Sequence, residues 1–171
     1  MKILTKLKTE RLLLRKLKIS DKKTLINQIG NYNVSKNLSN VPFPYTIKDA
    51  NNWYKCLLQK KMEFNYNIFK ENLLIGGVSL TNKDNGTYNL GYWLGEKFWN
   101  HGYATESANA LICFAKKNIR PLKISAQHNK NNFASENIIK KLGFQYIGDG
   151  EHYIISQQKR VECKKYFLKL N

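Results

Sequence analysis

The sequence predicts a single α/β domain (α+β in detail), with short strands and amphipathic helices around one core. Three observations carry this. Residues 91–116 read as strand, tight turn and buried helix. The segments before them alternate in polarity between turn residues. No repeat, linker or low-complexity stretch divides the 171 residues, a length suited to one core, so the domain is expected to span 1–171.

In chain order, weak alternation around Leu12 and Leu14 predicts a first strand over 10–17. Ser20 and Asp21 offer an N-cap to a short helix that Gly30 closes. Residues 31–46 read as irregular, stiffened by Pro42 and Pro44. Thr46 with Asp49 resembles a capping box, and the helix it opens carries Trp53, Leu57 and Leu58 on its apolar face. Strands over 66–70 and 73–81 join at Glu71 and Asn72, with Gly76 and Gly77 marking a bulge. Asp84, Asn85 and Gly86 supply a hairpin turn. The strand it leads into has Leu90, Tyr92 and Leu94 on one side, Gly91 and Trp93 on the other. Ala104, Ala108, Leu111, Ile112 and Ala115 then recur at the spacing of a buried helix stripe. Leu122, Ile124 and Ala126 mark a further strand. Asn131 or Asn132 caps a helix carrying Ala134, Ile138 and Leu142, which Gly143 stops. The tail offers two or three more strands, at 145–148, 152–156 and 162–170.

Gly95, Glu96, Asn100, His101 and Gly102 form the turn between the central strand and helix. Such a turn leaves backbone N–H groups unpaired at the positive end of the helix dipole. Gly102 admits close approach of a bound group, so the turn suits an anion such as a diphosphate. An ordinary strand–turn–helix with a glycine for tightness fits the same residues.

Lys and Arg number 29 against 12 Asp and Glu, a formal charge of +17. That suits an anionic partner such as RNA, a ribosome or a membrane surface. Lysine far outnumbers arginine, however, as in a broad compositional bias, and sequence-specific nucleic-acid readers lean on arginine. Cys56, Cys113 and Cys163 have no paired spacing and fit buried thiols in a reducing cytoplasm. His101, His128 and His152 lack metal-ligand spacing, so no metal is expected. No apolar run approaches the ~20 residues of a membrane span, and the basic N-terminus has no small-residue cleavage site. A cytoplasmic protein is expected.

The run WLGEKFWNHGYATES resembles the acetyl-coenzyme A motif of the GNAT superfamily of N-acetyltransferases, in the branch that acetylates ribosomal-protein N-termini (RimJ/RimL type). Where the general loop has Gln or Arg three residues before its first glycine, this chain has Trp99, as that branch often does. TERLLLRKLKISD and PFPYTIKDANNWY resemble the same branch. So does NNFASENIIKKLGF, through Asn132, Ser135, Lys141, Leu142, Gly143 and Phe144. The resemblance covers roughly residues 5–150. It implies a twisted, mixed and mostly antiparallel sheet of about six or seven strands, flanked by helices, with a splayed strand pair forming the acetyl-CoA cleft. PFPYT would wall the acceptor side.

The activity implied is transfer of acetyl from acetyl-CoA, the cosubstrate, to a primary amine by direct attack in a ternary complex. The cofactor contacts implied are Trp93, Leu94, His101, Gly102, Tyr103, Ala104, Thr105 and Asn132. A backbone N–H near Trp93 or Leu94 would polarise the thioester oxygen. Many superfamily members carry a tyrosine acid where this chain has Ile139, which leaves Ser135 as the hydroxyl near the thiol. Ser135 as a helix-start residue is the equal alternative. Glu96 is the carboxylate beside the acetyl position, with a water chain as the other route for the proton. Glu106 supports the helix start through the dipole. The favoured acceptor is a protein N-terminus, as on a ribosomal protein, with ribosome association in keeping. A polyamine or aminoglycoside acceptor, or a non-catalytic RNA-binding role, are the alternatives. Monomer and homodimer both remain open.

Overall fold

Residues 5–59, 64–83 and 85–170 are described in the computed structural model of the chain. The elements are β1 (Lys6–Lys8), β2 (Leu13–Arg15), α1 (Lys22–Ile29), α2 (Tyr32–Ser35), α3 (Ile47–Gln59), β3 (Phe64–Lys70), β4 (Leu73–Asn82) and β5 (Thr87–Leu94). They continue with α4 (Tyr103–Asn118), β6 (Lys123–Asn129), α5 (Phe133–Lys141), β7 (Gln145–Ile154) and β8 (Lys159–Lys169). One eight-stranded sheet runs β1-β2-β3-β4-β5-β6-β8-β7. Every pairing is antiparallel except β5 with β6. Asp84 of the expected hairpin turn and residues 1–4 lie outside the described residues.

The alternation in β5 sorts its side chains between two cores. Leu90 and Leu94 join the larger cluster, with Ala104, Ala108, Leu111, Ile112 and Ala115 of α4. Trp93 faces the other way and packs with Leu25, Ile29, Val34 and Trp53 under α1–α3. Fully burying one large aliphatic side chain is worth about 1.5–3 kcal/mol, so a one-residue slip of β5 would forfeit both cores. Gly76 and Gly77 are small because β5 presses on them. A Cβ on Gly76 would lie 2.3 Å from the Trp93 carbonyl oxygen, and one on Gly77 2.5 Å from the Trp93 Nε1. The irregularity beside them is a register shift between Ile68 and Phe69 of β3, whose partners are Gly76 and Leu74.

Several expectations are corrected. The first strand is shorter and pairs with β1, which its alternation did not reveal. Residues 31–46 include α2, capped by the Asn31 side chain, which accepts from Asn33 N. Asp21 does not cap α1. Its carboxylate accepts from Lys18 N at 2.7 Å and from Arg15 at 2.7 and 3.0 Å. Gly30 does close α1, with an ordinary right-handed φ of −71°. The Thr46–Asp49 box forms as read, Asp49 accepting from Thr46 N and Thr46 Oγ1 from Asp49 N. Leu58 is 66% exposed and lies off the apolar face that Trp53 and Leu57 present. In α5 the buried pair is Glu136 and Ile139, while Ala134 is exposed. The segments 145–148 and 152–156 are largely one strand, β7, carried past a register shift between Tyr146 and Gly148. Cys163 is buried, but Cys56 and Cys113 are exposed. No helix among the described residues is long and apolar enough to cross a membrane.

Glu136 is a charge held inside this framework. Its Oε1 receives Lys140 Nζ at 2.9 Å and Lys164 Nζ of β8 at 3.2 Å. The hydrogen bonds from Lys140 and Lys164 hold the carboxyl down at about 2. A group whose folded pKa is depressed adds stability above its unfolded value and loses it as pH falls toward the folded value. Glu136→Gln is therefore expected to lower Tm at neutral pH. The gap to the parent should narrow from about pH 6 to about pH 3, measured by thermal melts across that range. A gap that stays constant with pH would show that the ion pairs contribute nothing.

Candidate functional site

Two strands that begin as neighbours separate. The β5–β6 pairing covers only Thr87–Lys123, Tyr88–Ile124 and Asn89–Ser125. Beyond that, β5 stays on β4 and β6 stays on β8. Lys83 N donates to Thr87 O and Gly95 N to Ile75 O, which fixes the parity of the β4–β5 ladder. In an antiparallel pair the hydrogen-bonded residues alternate. Gly91 and Trp93 therefore turn their main chain to β4, and Leu90, Tyr92 and Leu94 turn theirs into the gap. Leu94, not Trp93, offers a backbone N–H to the gap, which narrows the sequence expectation. The Leu94 carbonyl is taken by the Trp99 indole, whose Nε1 donates at 2.9 Å. Trp99 so ties the following loop to the end of the strand.

That loop ends at the start of α4. Asn100 and Gly102 have φ of 63° and 80°, a left-handed conformation that suits glycine and is tolerated by asparagine. The first helix bond is Glu106 N to Gly102 O, so the N–H groups of Tyr103, Ala104 and Thr105 precede the helical ladder and are available to an anion. His101 stands apart from the cleft lining. Its Nδ1 is 2.6 Å from Trp99 O and its ring stacks on Tyr103. Glu106 does more than face the dipole. It accepts from Thr9 Oγ1 at 2.6 Å, Arg11 N at 3.0 Å and Arg11 Nε at 2.7 Å. Burial works against its charge, and these bonds outweigh it and keep the carboxyl below the usual range. Arg11 also donates to His101 O at 3.1 Å. The β1–β2 connection thus braces the loop that leads into α4, a role the sequence did not signal.

Across the gap, Asn132 caps α5, its Oδ1 accepting from Ser135 N at 3.1 Å. The Ser135 hydroxyl is left for another partner and meets the Tyr92 hydroxyl of β5 at 2.7 Å. Ile139, at the tyrosine position of the resemblance, is 1% exposed in the core. The third wall is α1–α3 and their connections. Glu96 accepts from the side-chain amides of Asn31 and Asn33, at 2.5 and 2.8 Å. Pro42 and Tyr45 of PFPYT face the cleft, whereas Phe43 is 47% exposed and packs against Tyr32.

The tail closes the fourth side. Ile155 N donates to Ser39 O, Ser156 Oγ to Ser35 O and Gln157 Nε2 to Lys36 O. His152 of β7 sits among Ser39 Oγ, Gln127 Nε2 and Asn129 Oδ1, at 3.3, 2.8 and 2.7 Å. Burial holds its imidazole below the usual value. The result is one cleft of about 1130 Å³. It brings together Trp93, Leu94, Glu96, Gly102, Tyr103, Ala104, Thr105, Asn132 and Ser135. Tyr92, Ser39, Gln127 and His152 line it as well, and sequence reasoning missed them as site residues. Its carboxylates among the described residues are Asp49 and Glu96, amid many amide side chains.

The sequence pattern of the acetyltransferase (GNAT) domain matches residues 11–145. The uncharacterized N-acetyltransferase p20 of Bacillus licheniformis is 28% identical over 147 residues, 82% of each chain. A crystal structure of a GNAT-family acetyltransferase from Bacillus anthracis superposes with a TM-score of 0.84 at 24% identity, covering 96% of this chain and 98% of that one. RimL, a ribosomal L7/L12 alpha-N-protein acetyltransferase solved with coenzyme A, has a TM-score of 0.80 at 19% identity, over 95% and 96% of the two chains. A cleft opened by parting strands beside an uncapped helix start, in a chain whose residues 11–145 carry the domain pattern, places this protein in the GNAT family of acetyltransferases.

Proposed function

We propose that the chain moves acetyl from acetyl-CoA to the α-amine at a protein N-terminus, such as that of a ribosomal protein. The observation that carries the acceptor class is the lining of the cleft. Both carboxylates there are already engaged, Glu96 by two amides and Asp49 by the Thr46 cap. A polyamine or an aminoglycoside would meet a chain of net charge +17 with no uncommitted acidic pocket among the described residues to draw it in. A peptide N-terminus carries one amine and a run of backbone amides, which the Asn, Ser and Gln side chains can pair. RimL, which acts on the α-amine of a ribosomal protein, shares the fold.

Acetyl-CoA supplies the activated acetyl group. Tyr103, Ala104 and Thr105 would hold its diphosphate through backbone N–H groups, with Gly102 leaving room for it and His101 at the rim of the loop. Asn132 would add its side-chain amide. Main-chain N–H groups of β5, at Leu94 above all, would polarise the thioester oxygen, while Trp93 floors the acceptor side. Ser135 would give a proton to the leaving sulfur.

Acetyl-CoA, but not acetate, is expected to raise Tm, more so at higher concentration. Gly102→Val puts a branched residue at a φ of 80°, so the variant's own Tm should fall by the equivalent of about 1–3 kcal/mol. Its ligand-induced rise should be mostly lost. A rise equal to the parent's would move the anion site elsewhere.

Peptides with free Ala, Ser or Thr N-termini should turn over faster than spermidine or kanamycin, and N-formylation should stop the reaction even where lysines remain. A preference for the polyamine or the aminoglycoside would overturn the acceptor class.

Glu96→Gln separates a carboxylate base from water. A positioned base is worth about 10²–10⁴ in rate. Because both Glu96 oxygens already accept amide bonds, a loss in kcat below about tenfold is expected, with water receiving the proton. A hundredfold loss at unchanged coenzyme affinity would make Glu96 the base.

A further inference from the structure

The two walls of the cleft meet through a pair of hydroxyls. Tyr92 comes from β5 and Ser135 from the first turn of α5, and their oxygens are 2.7 Å apart. The phenol also lies 3.3 Å from the Ser135 carbonyl oxygen, within donating distance. Both residues line the cleft. The Tyr92 ring packs against the larger core, on the face of β5 that carries Leu90 and Leu94. We propose that Tyr92 is a positioning residue for acetyl transfer, acting through Ser135 by orienting its hydroxyl and replacing the proton it gives up. This rests on the acetyl-transfer reading of the cleft.

The serine hydroxyl is not consumed by the helix start. Ser135 N is capped by Asn132 Oδ1, so Oγ owes nothing to the backbone, and its side-chain partner is the phenol. Each hydroxyl has one proton and can also accept. A phenol is a stronger acid than an aliphatic alcohol, so the stronger arrangement has Tyr92 donating to Ser135 Oγ. The serine proton is then free to point into the cleft.

The step balances without an outside reagent other than water. The amine nitrogen forms its bond to the acetyl carbon and loses one proton to water. The carbon–sulfur bond breaks and its electron pair stays on sulfur. Ser135 hands its proton to that sulfur, Tyr92 hands its own to Ser135 Oγ, and water refills Tyr92. Burial pushes the phenol up to about 12, against the lowering effect of the Ser135 bond, so Tyr92 holds its proton at neutral pH. Two hydroxyls in series also explain how a serine can serve where Ile139 offers no acid. The phenol reaches the site from the facing strand.

The test uses the full chain with an N-terminal peptide acceptor and the variants Tyr92→Phe, Ser135→Ala and the double substitution. Phenylalanine keeps the ring packing and removes only the hydroxyl. For Tyr92→Phe the expected result is a fall in single-turnover rate of about tenfold or more, with KM for acetyl-CoA, its calorimetric Kd and Tm nearly unchanged. The double variant should be no slower than Ser135→Ala alone, because both hydroxyls serve one proton path. The solvent deuterium effect on the rate should shrink in Tyr92→Phe. Three results would overturn the assignment of Tyr92 and leave the function intact: a Tyr92→Phe rate equal to the parent's, losses that multiply in the double variant, or a rate that falls only in step with Tm and coenzyme affinity, as for a strut between β5 and α5. A parent chain that binds acetyl-CoA yet transfers acetyl to no amine would overturn the function and this assignment together.

Discussion

The separation of β5 from β6 after Asn89 and Ser125 is the constraint on which the site depends. A buried strand edge with unpaired N–H and C=O groups is costly, of order the desolvation of each group. Such an edge persists only where something else supplies partners. Here the Trp99 indole takes the Leu94 carbonyl, and the remaining groups face the cleft. The same parting sets the first turn of α4 at one end of the gap and that of α5 at its side. N–H groups outside the helical ladder, a free strand edge and the Ser135 hydroxyl therefore converge because one pairing stops early.

Charge acts on two scales in this molecule. At long range, the excess of lysine repels polycations and favours acidic partners. Inside the cleft, the few acidic groups are held by hydrogen bonds, and neutral amides dominate. Acidic residues elsewhere serve structure. Glu106 ties the β1–β2 connection to α4, and Glu136 ties α5 to β8. The loop that would hold a diphosphate is thus braced by an acid on its protein side, with Arg11 between them.

One side of the cleft is built from distant parts of the chain. Ser35 ends α2 and Lys36 and Ser39 follow it, yet the carbonyls of all three are held by the turn after β7, more than 110 positions later. His152, Gln127 and Asn129 continue that contact along β7 and β6. The tail, where the family resemblance is weakest, closes the pocket in which an acceptor would lie. Acceptor preference can therefore diverge between chains that keep the same coenzyme motifs, since fold alone does not set substrate.

Local rules were enough for part of this structure. The β5 alternation, the α4 stripe, the Thr46–Asp49 box, the Asn132 cap and the Gly102 turn are set by neighbours a few residues apart, so their side-chain periods and turn chemistry were legible in the sequence. The motifs around Trp99 and Asn132 likewise named the family that the domain match bears out. What only the tertiary structure decided are pairings across large sequence separations, which no local period encodes. It joined 145–148 and 152–156 into one strand because β8 runs opposite both. It withdrew Asp21 from the helix cap because Arg15 offers a stronger, charged pair of donors. It placed the Tyr92 hydroxyl on Ser135 because β5 stays with β4 while α5 packs across the opening. A tyrosine in an alternating strand reads as core, and only its neighbour 43 residues away turns it into part of the site.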